Sequence, residues 1–249
     1  MVRPATTSSR RLSSRSDVRA VFVAGAGTEI GKTYVTASLT RALRAQDCAV
    51  STLKPLASGV PPFGDPAFRE SDTAILLDAQ GMPLTAETVE ACSPWRFAAP
   101  LSPDLAAARE RRSLSLSELV SWCEARLQGA ATETIIVIEG VGGLMSPVTS
   151  EATGLDWLEA LALPTILVSG SYLGAISHAL TAAETLRCHG QRLLAVVVCE
   201  SLGAPTSPET VADAIARHVP VPVVCIARDG ECPEALARLV QAGSLNLTA

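Results

Sequence analysis

The chain has 249 residues, 48% of them apolar, enough to fill the core of one large α/β domain or two small ones and to exclude disorder as the main state. No window approaches the roughly 18 uninterrupted apolar residues of a membrane span, so the sequence reads as soluble, with no membrane partner. Twenty Lys and Arg stand against 25 Asp and Glu, and the resulting net charge of -5 argues against a nucleic-acid partner.

Residues 1–19 stand apart. Arg3, Arg10, Arg11, Arg15 and Arg19 against the single acid Asp17 make this segment +4, leaving -9 on the remainder. It has no apolar stretch of the kind a secretory signal carries. Its Arg-rich, Ser-rich composition suits an organellar transit peptide as well as a frayed N-terminal extension, and the extension is the favoured reading. A single folded domain is expected from 20 to 249, in the cytoplasm, with an organelle as the alternative if 1–19 are a transit peptide. The seven cysteines (48, 92, 123, 188, 199, 225 and 232) are odd in number, widely spaced and contain no CxxC, so neither a disulfide framework nor a zinc site is suggested.

From residue 20 onward, apolar strands alternate with helical stretches. Residues 21–24 read as a strand, 31–46 as a helix with Val35, Leu39, Ala42 and Leu43 on one face, and 49–53 as a second strand. The stretch 57–116 holds seven prolines and reads as a loop-rich excursion with short helices, covering one side of the site without forming a domain of its own. Further strands are expected at 135–138, 165–168, 193–198 and 221–226, with helices at 117–127, 174–188 and 208–218. These strand segments are continuous apolar runs, which indicates burial on both faces and hence a doubly wound, mostly parallel sheet flanked by helices. In such sheets ligands sit at the carboxyl ends of the strands.

The segment Gly25-Ala-Gly27-Thr28-Glu29-Ile30-Gly31-Lys32-Thr33 follows a strand and opens a helix, the context of a phosphate-binding loop. Backbone N–H groups and the helix N-terminus attract phosphates, Lys32 places a point charge at the β/γ oxygens, and the Thr33 hydroxyl can ligate Mg²⁺. Its first glycine stands six residues before Gly31, one more than in the common form. A ligand-free glycine-rich turn is the alternative, and strand, GKT and helix together weigh against it. The second segment, 135–143, ends a buried strand on Glu139, followed by Gly140, Gly142 and Gly143. A buried carboxylate is costly unless it meets a cation, and Mg²⁺ between Glu139 and Thr33 meets that need; an acid capping a turn is the other reading. In the third, Lys54-Pro55-Leu-Ala-Ser58-Gly59, Lys54 and Ser58 lie just past the second strand on the same rim, although a lysine there can also simply end a strand in solvent.

GTEIGKT, KPLASG and EGVGG, with Glu70-Ser71-Asp72 between the second and third strands, resemble dethiobiotin synthetase. The likeness covers nearly all of 20–249, since the segments around 97–103, 156–157, 174–178 and 194–195 also stand in that family's order and spacing. It implies a P-loop NTPase fold and an ATP-dependent cyclo-ligase that takes 7,8-diaminopelargonate, CO₂ and ATP-Mg to dethiobiotin in biotin biosynthesis, as a homodimer with substrate at the interface. It also implies residue roles. Thr33, Asp72 and Glu139 would hold Mg²⁺; Lys32 and Lys54 would flank the γ-phosphate; Thr28 and Ser58 would bond carbamate or phosphate oxygens. Gly27 to Thr33, Glu139, Gly142 and Glu200 would form the nucleotide site, while Leu173, Gly174, Ala175 and Ile176 at a helix N-terminus would bind the substrate carboxylate.

The sequence departs from the family pattern at Glu200, where an Asn that reads adenine is common, and at Ser171-Tyr172, where some members carry a basic residue. The rival reading is a P-loop switch ATPase of the partitioning or cell-division type, but Gly27 stands where that class has its signature lysine. A cobyrinate amide synthase would need a further glutamine-hydrolysing domain.

Overall fold

A computed structural model describes residues 19–243. The expected extension lies outside the described residues, except that Arg19 is already the first residue of β1 (Arg19–Gly25). Then follow α1 (Lys32–Ala45), β2 (Val50–Leu53), β3 (Leu56–Ser58), a short 3₁₀ helix (Pro66–Glu70), α2 (Asp72–Ala79), α3 (Ala86–Cys92) and β4 (Trp95–Phe97). The chain continues through α4 (Pro103–Arg109), α5 (Leu116–Gly129), β5 (Ile135–Glu139), α6 (Gly154–Leu161), β6 (Thr165–Ser169), α7 (Ala175–Cys188), β7 (Leu193–Cys199), α8 (Pro208–Ala216), β8 (Val223–Ile226) and α9 (Glu234–Gly243).

Six strands form one parallel sheet in the order β2-β5-β1-β6-β7-β8, so the direction in which strands are added reverses about β1. The continuous apolar runs divide by residue parity. Phe22, Ala24, Ile136, Ile138, Leu167, Val196 and Val198 pack on one face with Trp157 and Leu186, while Val21, Val23, Ile135, Val137, Val168 and Val197 pack on the other with α1 and α9. Both faces are therefore buried, as runs of this kind require. On the first face the Phe22 and Trp157 rings meet edge-on, with centroids 5.0 Å apart.

The excursion 57–116 is more ordered than its prolines suggest. It contains three α-helices, the 3₁₀ turn and a separate two-stranded parallel sheet of β3 and β4, and its residues Ala57, Val60, Phe68, Leu77 and Val89 form a small core of their own. Ser58 accordingly closes a strand and does not lie in a loop. Helices α6 and α9 were not expected. The first is only eight residues long, and the second follows a cysteine- and proline-containing turn that hides its period. No helix among the described residues is long and apolar enough to cross a membrane.

Candidate active site

The carboxyl ends of β1, β2 and β5 meet the N-terminus of α1, and there the predicted residues converge. Gly25 closes β1 in a space with no room for a side chain: a Cβ would lie 2.8 Å from the Gly27 carbonyl and 3.0 Å from that of Gly142. Gly31 caps α1 with φ +94°, left-handed backbone that favours glycine, over the Cys199 side chain. Glu29 also takes positive φ, 55°, on the exposed crest of the loop. These turns lead into the helix N-terminus, whose free N–H groups suit an anion.

Beneath the loop is a compact ionic cluster. Lys54 is 2% exposed and Glu139 0%. The Lys54 ammonium donates to Glu139 Oε1 at 2.5 Å and to the Gly140 carbonyl at 2.9 Å, and lies 3.2 Å from Asp72 Oδ2. Thr33 donates its hydroxyl to the same Glu139 oxygen at 2.7 Å. Burial alone would lower the Lys54 pKa, but Glu139 and then Asp72 more than offset it and raise it. At Asp72 partial burial pushes upward, and the Lys54 ammonium, helped by Thr33, holds the carboxyl below its ordinary value. Lys32 differs. Its Nζ donates back to the Gly27 carbonyl at 3.2 Å, and burial together with the Lys54 charge lowers it to about 8, against the pull of Glu139 and Asp72.

Glu139 Oε2 is buried with no hydrogen-bond partner. An orphaned carboxylate oxygen next to a hydroxyl and a second carboxylate is an all-oxygen donor set that fits a hard divalent cation, and Mg²⁺ commonly uses only one or two carboxylates, completing its shell with water and phosphate. Among the described residues no group of three or more His, Cys, Asp or Glu is placed to hold a metal ion.

A cleft of about 970 Å³ opens from the loop across the ends of β6, β7 and β8, lined by Gly27 to Gly31, Tyr34, Tyr172, Glu200, Arg228 and Asp229. Thr28 is exposed there, and a Cβ on Gly142, at φ +62°, would lie 3.8 Å from its hydroxyl. Glu200 is on this wall, away from the ionic cluster, and its Oε2 accepts from the Arg228 N–H at 2.9 Å. Ser58 is half-buried at the end of β3. At the start of α7, Leu173 is 87% exposed and Ile176 also faces solvent. Ala175 is buried and its N–H is taken by the Tyr172 carbonyl at 3.0 Å, so it adds neither a free donor nor side-chain surface to that helix N-terminus. Gly174, at φ +97°, is the N-cap.

Of two further cleft residues, Tyr34 escaped the sequence reading and Tyr172 stood in it only as a departure from the family pattern. Tyr34 bonds the Gly230 carbonyl, and the Tyr172 hydroxyl meets His178 Nδ1 at 2.8 Å. The tyrosines stand beside motif segments, Tyr34 directly after GKT and Tyr172 shortly before 174–178, but spacing along the chain does not reveal a contact that crosses 196 residues to Gly230.

Residues 19–228 match the family model described as an AAA domain. An ATP-dependent dethiobiotin synthetase BioD of Methylobacterium nodulans is 68% identical over 213 residues, 86% of this chain and 95% of that protein. The protein of the same name from Acidiphilium cryptum is 42% identical over 199 residues, covering 80% and 87% of the two chains. The chain belongs to the dethiobiotin synthetase family. Among solved structures, the signal recognition particle receptor FtsY of Elizabethkingia anophelis in complex with GDP aligns with a TM-score of 0.50 at 13% identity, over 97% of this chain and 67% of that one. That likeness concerns the fold alone. The family match decides against the switch-ATPase reading, which shares the same sheet and loop.

Proposed function

We propose that this chain is an ATP-dependent cyclo-ligase that converts 7,8-diaminopelargonate and CO₂ to dethiobiotin in biotin biosynthesis, with release of ADP and phosphate. The observation that carries the reading is the meeting of Lys54, Asp72, Thr33 and Glu139 below the phosphate loop, in a chain 68% identical to a protein of that name.

One amine of the substrate, with loss of a proton, captures CO₂ as a carbamate. A carbamate oxygen attacks the γ-phosphorus and ADP leaves; the second amine then attacks the carbonyl carbon of the resulting mixed anhydride, losing a proton as phosphate departs and the urea ring closes. Neither step needs a protein nucleophile. The protein supplies position and fixed positive charge where oxyanions develop. Lys32 serves phosphates already present on bound ATP, and Lys54 serves the charge that builds during transfer. Thr28 and Ser58 bond carbamate or phosphate oxygens. Mg²⁺ held by Thr33, Asp72 and Glu139 would add positive charge at the β/γ oxygens.

Gly27 to Thr33, with Gly142, hold the triphosphate, and Glu200 faces the base. The substrate carboxylate lies at the start of α7, along Leu173, Gly174 and Ile176. Exposed Leu173 and Ile176 border an apolar groove with Leu180 and Val211, which supports a homodimer with the substrate at its interface. The chain acts as one synthetase domain in the cytoplasm.

The test is to incubate the protein with diaminopelargonate, bicarbonate and Mg-ATP and to follow dethiobiotin by mass and phosphate by colour. Dethiobiotin and diamine-dependent phosphate release are expected. Robust ATP hydrolysis indifferent to the diamine, with no dethiobiotin, would return the reading to a switch ATPase.

A further inference from the structure

β2 is the edge strand of the large sheet and pairs only with β5. Strand alternation turns the N–H and C=O of Thr52, and the N–H of Lys54, away from β5 toward that free edge. Among the described residues no seventh strand covers them; the edge borders a cavity of about 560 Å³ lined by Ser51, Gln80, Met82 and Ala91, among others. The Gln80 side chain takes the place of a neighbouring strand. Thr52 N–H donates to Gln80 Oε1 at 2.8 Å, and Gln80 Nε2 donates to the Thr52 carbonyl at 3.0 Å, the two-bond pattern of a peptide group. The second Nε2 hydrogen goes to the Leu76 carbonyl at 3.0 Å, which fixes the amide on its own helix. One bond further on, Lys54 N–H donates to the Cys92 carbonyl at 3.0 Å.

Gln80 is the C-cap of α2, and Asp72 is that helix's first residue. The helix is about 12 Å long at 1.5 Å per residue, and both its ends meet the same strand end: Asp72 at the Lys54 ammonium, Gln80 at the Thr52 backbone two residues earlier. The strut also leans on α1, the helix that opens with Lys32 and Thr33. Ala37 packs with Leu76 and Ala79, Arg44 bonds the Ala79 carbonyl at 3.0 Å, and the Thr40 hydroxyl meets that of Thr52 at 2.7 Å.

We infer that Gln80 is a positioning residue for phosphoryl transfer: by acting as a surrogate strand on the β2 edge, it holds Lys54 in register with Asp72 and Glu139. The inference rests on the role given to Lys54 above. The side chain touches no reacting atom, so its loss moves turnover more than nucleotide binding, since a small misplacement of an aligned group is felt mainly in the transition state.

The experiment compares Gln80→Met, which keeps the length and loses the two bonds to Thr52 and the one to Leu76, with Gln80→Glu, which keeps the acceptor but sets an oxygen against the Thr52 carbonyl. Lys54→Ala is the reference, and kcat, KM for ATP, Tm and Thr52 amide exchange are measured on the full chain. Gln80→Met and Gln80→Glu are both expected to lower kcat by about tenfold or more, with KM for ATP within about twofold of wild type and Thr52 losing amide protection while β1 and β5 keep theirs. Wild-type kcat in both Gln80 variants, while Lys54→Ala abolishes turnover, overturns the positioning role and leaves the proposed function standing. Unimpaired turnover in Lys54→Ala overturns both. A loss that appears only as a higher KM for ATP, or that vanishes once assays are run well below each variant's Tm, also overturns it, because it marks a general loosening of the fold.

Discussion

The two halves of the nucleotide cleft are built differently. Over β1, β2 and β5 the charged groups Lys32, Lys54 and Glu139 are all buried, and the Lys54 ammonium is shared among two carboxylates and a carbonyl. Over β6, β7 and β8 the corresponding groups Glu200, Arg228 and Asp229 are exposed, and Glu200 is tied by a single backbone bond. The contrast follows from what each half has to do. Charge that stabilises a phosphoryl-transfer transition state acts best if it is fixed before the substrate arrives, because reorganising dipoles during the reaction adds to the barrier. A base or a carboxylate only has to be bound, and exposed groups that rearrange can do that.

Breaking the buried half is expected to have the largest effect. Lys54→Ala should lower turnover by about 10²- to 10³-fold with little change in nucleotide affinity, whereas Lys32→Ala should damage both; equal loss of nucleotide affinity in the two variants would contradict the division of labour. Lys54→Ala also leaves Glu139 buried without its cation, a loss on the order of 3–5 kcal/mol of stability before any ligand is added, to be read from denaturant curves. Glu200→Ala should stay within about 0.5 kcal/mol in the same measurement. If the two variants unfold alike, the halves are not built differently.

A second effect is set by pH and involves thiols packed in the cores on both faces of the sheet and in the small core of the excursion. Burial raises Cys92 and Cys232 to about 11 and Cys123 and Cys199 to about 12, from an ordinary value of 9.0. Between those limits the folded chain keeps protons that the unfolded chain releases, so their contribution to stability is intact below pH 9 and lost as pH rises toward 11 and 12. Each thiol can contribute at most about 1.4 kcal/mol per pH unit there. Lys32, lowered to about 8, works in the opposite sense, since deprotonating it relieves a buried charge. Tm should fall between pH 9 and 10.5, and Cys123→Ala, compared with the parent at each pH, should reduce the slope. An unchanged slope would mean that Cys123 titrates normally in the fold.

The smallest effect is expected in the open half. An Asn can both donate to and accept from adenine, whereas an ionised Glu only accepts and is better matched to the adjacent donors of guanine. Glu200 is thus expected to leave ATP selectivity weak, and Glu200→Asn should shift kcat/KM toward ATP over GTP by the worth of one exposed hydrogen bond, on the order of 1 kcal/mol. Strong ATP preference in the parent, untouched by the substitution, would mean that the carboxylate serves only to hold the Arg228 N–H.

Local chemistry in the sequence was sufficient for the parallel sheet and for the contact between Lys32, Thr33 and Glu139's neighbourhood. Apolar runs such as 135–138 and 193–198 can be satisfied only with both faces covered, and a glycine-rich turn between a strand and GKT has few other uses. Other features depended on contacts that no spacing along the chain encodes. Ser58 in a parallel pair with the segment at Phe97, the small core that the proline-rich excursion closes around Phe68, and the amide of Ala175 turned to Tyr172 each depend on a neighbour distant in sequence or on one backbone angle. Gln80 is the extreme case. In sequence it is an unremarked polar residue after a short helix, and only the fold brings its amide to the free edge of β2, 28 residues back, where two unpaired backbone groups need a partner.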